Sequence, residues 1–274
     1  MDFAARVTER TRVLDTRLCI GLDPRPAWHP AGVSVYEHCR DVLEACAPYA
    51  CAVKPQLAFF EAEGITGLEA LAEVLRLARQ LDLPVIVDGK RGDIGSTAEA
   101  YASAWLAGEN AGGALTVNPY LGRDTVEPFL AAARANQGGL FCLVKTSNPG
   151  AGDLQDLPTG KGTVAEVVAS WVTAWNGAGE GFGPVGAVVG ATRPEAVAHF
   201  RGLLPRSLLL LPGVGAQGGK PEDLAPAFLP GGTGALVAAS RSVEYASKGP
   251  DFAKAAAASA RSLRDAVNAA IGRE

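Results

Sequence analysis

The chain has 274 residues, 48 % of them hydrophobic, and 25 lysines and arginines against 29 aspartates and glutamates, a formal net charge of −4. That length holds one α/β barrel or two smaller domains, and the charge balance leaves no broad basic surface for nucleic acid. No apolar run is long enough to span a bilayer, so neither nucleic acid nor membrane is an expected partner.

Residues Phe3 to Leu14 read as an amphipathic helix, without the basic-then-apolar order of a signal peptide. Leu18-Cys19-Ile20-Gly21-Leu22-Asp23-Pro24 is a first strand ending in an acid. Val35 to Ala47 is helical, and Ala50-Cys51-Ala52-Val53-Lys54-Pro55 is a second strand ending in a base. Thr66 is read as the cap of the next helix, whose apolar stripe is Leu68, Leu71, Ala72 and Leu75. Pro84 opens the third strand, Val85-Ile86-Val87-Asp88-Gly89-Lys90, and Thr97 to Leu106 forms the helix after it.

Ala114 to Pro119 is a fourth strand, Val126 to Arg134 a helix, and Leu140 to Thr146 a fifth strand. A polar loop from Ser147 to Gly162 leads to a helix over Val164 to Trp175. Val185 to Gly190 is a sixth strand, Pro194 to Phe200 a short helix, Ser207 to Leu211 a seventh strand and Ala235 to Ala239 an eighth. Asp251 to Ile271 closes the chain as a helix. Strands that are apolar on both faces and alternate with helices belong to a parallel sheet covered on its outside. Eight repeats predict a (β/α)₈ TIM barrel, a single domain over 1–274. A doubly wound open sheet is the runner-up, and no GxGxxG follows the first strand to favour it. The five cysteines include no CxxC and sit in apolar runs, which predicts reduced core thiols and a cytoplasmic protein. The three histidines are scattered, and no ligand spacing suggests a metal.

Active sites of such barrels lie at the C-terminal ends of the strands. Those ends carry Asp23, Lys54, Asp88, Lys90, Asn118, Thr146 with Ser147, Gln217 and Arg241. The third strand is the centre of the pattern. Asp88 and Lys90, two apart, point to one side of a regular strand, Gly89 points away, and Asp93 follows where Gly92 lets the chain turn. The lysine then has an acid on either side. Pro212-Gly213-Val214-Gly215-Ala216-Gln217-Gly218-Gly219 and Ser240-Arg241-Ser242, after strands seven and eight, form an expected phosphate cup. Flanking acids favour a protonated Lys90, a fixed cation and proton donor rather than a Schiff-base nucleophile. With no cofactor motif in sight, these residues point to cofactor-free carbanion chemistry on a phosphorylated substrate. The alternatives are a Mg²⁺-dependent decarboxylase of keto-acid sugar phosphates and a non-catalytic phosphate-binding barrel.

Asp88-Gly89-Lys90-Arg91-Gly92-Asp93-Ile94, followed by Thr97, resembles the DxKxxDIxxT motif of the orotidine 5′-phosphate decarboxylase family. Lys54-Pro55-Gln56 with Phe59-Phe60-Glu61, Thr116 to Gly122, Thr146 to Gly150 and Pro212 to Gly218 resemble that family's longer bacterial branch, type 2. The resemblance implies decarboxylation of orotidine 5′-phosphate to uridine 5′-phosphate (UMP), the last step of pyrimidine biosynthesis, in a homodimer without cofactor or metal. It implies a charged network of Lys54, Asp88, Lys90 and Asp93, in which Lys90 protonates C6 and Asp88 faces the substrate carboxylate. It further implies that Asp93, with Thr97, is donated across the dimer interface, and that Asp23 and Lys54 hold the ribose. Ser147 would contact the pyrimidine, and Gln217 and Arg241 the phosphate.

Overall fold

Eight short strands pair side by side, all parallel, in the computed structural model, which describes residues 1–191, 194–213 and 219–273. They are β1 (Leu18–Leu22), β2 (Ala52–Pro55), β3 (Ile86–Arg91), β4 (Ala114–Val117), β5 (Gly139–Lys145), β6 (Val185–Val189), β7 (Leu209–Pro212) and β8 (Ala235–Ala239). The order around the sheet is β2-β1-β8-β7-β6-β5-β4-β3. Parallel bridges Val53↔Val85 and Gln56↔Asp88 join β2 to β3 and close the ring. The expected TIM barrel is therefore what the chain forms.

Successive residues of a strand face opposite sides, and here the two sides are two cores. Leu18, Ile20, Val53, Val87, Leu115, Val117, Leu209 and Leu211 pack outward against the helices. Cys19, Ala52, Ile86, Ala114, Phe141, Val188, Leu210, Leu236 and Ala238 fill the barrel interior. The N-terminal helix α1 (Phe3–Leu14) adds Phe3 and Val7 to the interior cluster, with Phe3 edge-on to Phe141 at 6.0 Å. All five cysteines are buried free thiols. No helix among the described residues is long and apolar enough to cross a membrane.

Expectations for the segments between strands need correction. The segment after β2 holds two helices, α3 (Leu57–Ala62) and α4 (Gly64–Gln80), after α2 (Val35–Cys46). Thr66 lies inside α4, where its hydroxyl donates to the Glu63 carbonyl, and Glu63 is the N-cap. The buried stripe is Gly67, Ala70, Leu71, Val74, Leu75 and Ala78, and Leu68 is exposed. Packing on α3 decides which face of α4 turns inward, and spacing alone does not reveal that rotation. Between β7 and β8 the covering segment is a 3₁₀ stretch, Pro221–Ala227, because Pro226 has no N–H with which to continue an α-helix. The remaining helices are α5 (Gly95–Leu106), α6 (Glu127–Ala135), α7 (Gly152–Gln155), α8 (Val164–Asn176), α9 (Pro194–Leu203), α10 (Arg241–Glu244) and α11 (Phe252–Ala270).

A buried polar cluster ties the loop after β1 to the end of α10. Glu244 is fully buried; its Oε2 accepts the Asp23 N–H at 2.8 Å, and its Oε1 stands 3.7 Å from His38 Nε2. The Tyr245 hydroxyl accepts the Arg25 N–H at 2.6 Å. His38 stacks on His29, with ring centroids 4.0 Å apart. Burial, and secondarily the neighbouring His29, pushes His38 down to about 3, so its imidazole is neutral. Burial raises the Glu244 carboxyl well above its ordinary value; the Asp23 N–H opposes the rise and the Asp23 charge adds to it. Arg25 and Lys54 act the other way.

The unfolded chain releases the Glu244 proton near pH 4.3, whereas the folded chain keeps it, so folding loses stability as pH rises from there to the folded value. Glu244→Gln keeps an oxygen for the Asp23 N–H and has no proton to lose. Unfolding measured in urea at several pH values should give near-equal stability for the two proteins at pH 4 and a growing advantage for Glu244→Gln above it. The gap should approach about 1.4 kcal/mol for each unit by which the folded carboxyl is raised. A gap independent of pH would contradict the assignment of a neutral Glu244.

Candidate active site

The C-terminal ends of the strands surround a cavity of about 630 Å³. Its floor is apolar, from the inward residues Leu143, Val188, Leu210 and Ala238. Its wall carries Asp23, Lys54, Asp88, Lys90, Ser147 and Arg241, six of the residues singled out from the sequence. A smaller cavity of about 220 Å³ lies beside the N-terminal ends of β3 and β4, near Arg6 and Trp105, and holds none of them.

Asp88 is the hub. Its Oδ2 accepts from Lys54 Nζ at 2.8 Å and from Gln56 Nε2 at 3.0 Å. Its Oδ1 accepts from Lys90 Nζ at 2.7 Å and from Thr116 Oγ1 at 2.9 Å. Four donors on one buried carboxylate saturate its lone pairs. Burial alone would raise the Asp88 carboxyl, yet Lys54 and Lys90 outweigh it and hold the group far below the usual carboxylate range. Burial likewise works against a charged Lys54, and Asp88 and Asp23 reverse that and raise it. Both groups are therefore ionised at neutral pH although each side chain is only 8 % exposed. The Lys90 side chain, 45 % exposed, reaches into the open cavity.

The arrangement reverses one expectation. Within one chain the carboxylate stands between two lysines; the lysine does not stand between two carboxylates. Asp93 Oδ1 accepts its neighbour Ile94's N–H at 2.8 Å, and among the described residues no cation pairs with it. Thr97 is exposed on α5, and neither residue lines the cavity. The turn is also made differently. Lys90, not Gly92, takes the left-handed backbone, at φ 45°. β3 pairs with β4 at Val87↔Leu115 and resumes at Arg91↔Val117, so Asp88, Gly89 and Lys90 bulge opposite Thr116 alone. Asp88 and Lys90 thus meet through a bulge, not through regular alternation. Gly92 serves close approach, since a Cβ there would stand 2.7 Å from the Asn118 carbonyl oxygen. Gly89 does point away from the cavity; a Cβ would meet Leu57 at 2.7 Å.

The rim has its own bracing. Thr146 and Asn148 line the cavity beside Ser147. The Thr146 N–H donates to Gln155 Oε1 at 2.9 Å, and Lys145 pairs with Asp156 at 2.5 Å, which pins the loop after β5 back onto its strand. Asn118 turns its side chain to the Tyr120 N–H at 3.0 Å, a loop-capping role, and does not line the cavity. Arg241 opens α10 at the rim, while Gln217 lies outside the described residues. Of the two stretches expected to form a phosphate cup, Pro212, Gly213, Ser240 and Arg241 line the same cavity, and 214–218 lie outside the described residues.

Two hub residues were missed as site residues in the sequence, Gln56 and Thr116. Both were legible by strand parity. Gln56 is two residues after inward Lys54, and Thr116 is two after inward Ala114. Attention to strand ends alone passes over a threonine one residue short of the end.

The family model for the orotidine 5′-phosphate decarboxylase / HUMPS family matches residues 16–257. A protein of Deinococcus radiodurans called orotidine 5′-phosphate decarboxylase is 55 % identical over 271 residues, 98 % of either chain. One of the same name from Rhodopirellula baltica is 42 % identical over 293 residues, covering 98 % of this chain and 96 % of its own. The solved structure of Leishmania donovani OMP decarboxylase superposes with a TM-score of 0.84 at 37 % identity, over 99 % of this chain and all of that one. A charged triad at the mouth of a parallel barrel, within a match of that extent, places this chain in the orotidine 5′-phosphate decarboxylase / HUMPS family.

Proposed function

We propose that this protein decarboxylates orotidine 5′-phosphate to UMP and CO₂ without a cofactor, the closing step of de novo UMP synthesis. The observation that carries the reading is the ionised Asp88 carboxylate fixed between Lys54 and Lys90 at the cavity wall. A substrate carboxylate seated beside Asp88 meets a like charge in a partly dry site and leaves that repulsion as CO₂. The C6–carboxylate bond breaks, its electron pair stays on C6, and the Lys90 ammonium both stabilises that charge and gives C6 a proton. Water returns a proton to the amine after release. The hub can act in this way because its charges are already in place before substrate arrives, so little reorganisation accompanies the reaction.

Around that centre, Asp23 and Lys54 hold the ribose, Ser147 the pyrimidine edge, and Arg241 with Gln217 the phosphate. The whole span 1–274 acts as one domain. A homodimer completes the site: Asp93 and Thr97, which do not line their own cavity, reach the neighbouring protomer's substrate. Support comes from Ile94, Tyr120 and Leu121, which are 63, 73 and 52 % exposed on the same side of the barrel and need cover. The five free buried thiols suit a cytoplasmic setting.

Purified protein should convert orotidine 5′-phosphate in an ultraviolet assay at the same rate with and without a metal chelator. A rate abolished by the chelator would favour the Mg²⁺-dependent keto-acid branch of the family instead. Lys90→Ala should lose at least about 10³-fold in kcat with an unchanged melting temperature, the upper range for removal of a proton donor. Comparable activity in that variant would end the proposed role. Mixing inactive Asp93→Ala and Lys90→Ala protomers should restore turnover, because a mixed dimer carries one intact site. If subunits exchange and no activity returns, each site is built from a single chain.

A further inference from the structure

Thr116, already a donor to the Asp88 hub, is a side chain that hydrogen-bonds both ends of the β3 bulge. Three residues of β3 stand opposite it, so the ladder with β4 has no regular partner to offer them. The Lys90 N–H donates to Thr116 Oγ1 at 2.8 Å, and the same hydroxyl donates to Asp88 Oδ1 at 2.9 Å. The side chain is 1 % exposed, and its methyl and backbone belong to the barrel wall. A hydroxyl has one proton. Because the amide must donate, the oxygen's proton can go only to the carboxylate, and both bonds acquire a fixed direction.

Lys90 pays for its position with a left-handed backbone, which a side-chain-bearing residue rarely adopts. Such a conformation persists only where surrounding contacts determine it. Two contacts do so here, and both converge on Thr116: the amide bond directly, and the Lys90 ammonium through the Asp88 oxygen that it shares with the hydroxyl. We infer that Thr116 is a positioning residue, which locks the bulge so that the Lys90 ammonium and the Asp88 carboxylate are held in register with the reacting carbon. It reaches the chemistry only through those two residues. This inference rests on the decarboxylase reading, since that reading says what the register is for.

The test compares Thr116→Val, which keeps the shape and removes the hydroxyl, with Thr116→Ser, which keeps the hydroxyl. Amide hydrogen exchange at Lys90, followed by NMR, reports the lock without any reaction. Exchange should quicken at least about 10-fold in the valine variant and stay near wild type in the serine variant, as for an amide that loses its only acceptor. With orotidine 5′-phosphate, the valine variant should lose about 10- to 100-fold in kcat, while KM and the Kd for UMP stay within about 2-fold. That split marks an interaction needed in the transition state and not for binding. Serine should restore most of kcat. Unchanged exchange in the valine variant would overturn the inference, as would quickened exchange with kcat intact, or a serine variant as slow as valine. Should valine fail to fold, Thr116→Ala against Thr116→Ser carries the same comparison. A wild-type protein that releases no CO₂ would sink the decarboxylase reading, and exchange at Lys90 would still decide whether Thr116 holds the bulge.

Discussion

A carboxylate taken out of water is costly unless it is met on every side, and Asp88 is met on every side. Two ammoniums, one amide and one hydroxyl converge on its two oxygens. The rest of the molecule can be read as what is needed to bring those four donors together. They come from the ends of three adjacent strands and from the residue after β2, and in this ring β3 lies between β2 and β4. The Gln56↔Asp88 bridge that closes the ring also delivers Gln56 to the hub. Barrel closure and site assembly are one event here.

The hub is also asymmetric in a useful way. Lys54 is buried and bound to Asp88, whereas Lys90 is half in the open cavity. One lysine secures the carboxylate's charge and the other remains available to a ligand. Opposed charges of this kind stabilise the fold less than an apolar wall of equal volume would, which marks the hub as built for chemistry and not for stability. Stability comes from elsewhere, from two concentric apolar layers and from α1, which stoppers the lower end of the barrel with Phe3 and Val7.

Behind the wall, the neutral Glu244 and His38 show a second solution to polar burial. Instead of pairing charges, the fold suppresses them. The benefit is mechanical. Glu244 grips the backbone at Asp23 while its own helix begins with Arg241, so the rims of the adjacent strands β1 and β8 are joined by that contact. An ionised Glu244 would instead repel Asp23 and compete with Asp23 and Asp88 for Lys54.

Much of this was legible before any coordinates. The eight strands follow from apolar runs ended by turn residues, and the parallel barrel follows from their alternation with helices, because a strand that is greasy on both faces must be covered on both. The strand-end rule picks out Asp23, Lys54, Asp88, Lys90, Thr146, Ser147 and Arg241, which line one cavity, and also Asn118, which does not, and Gln217, which lies outside the described residues. Local pattern suffices there because strand period and strand end are local properties. What only the tertiary structure decided is non-local. The bulge at Asp88-Gly89-Lys90 exists because β3 must match the shorter run of β4, and no inspection of β3 alone discloses it. Within one chain the network is inverted, an acid between two bases, because Lys54 comes from 34 residues away in sequence while Asp93, past the bulge, bonds the Ile94 N–H instead. Pair distances set by register across strands are properties of the closed ring, and the sequence encodes them only through the fold.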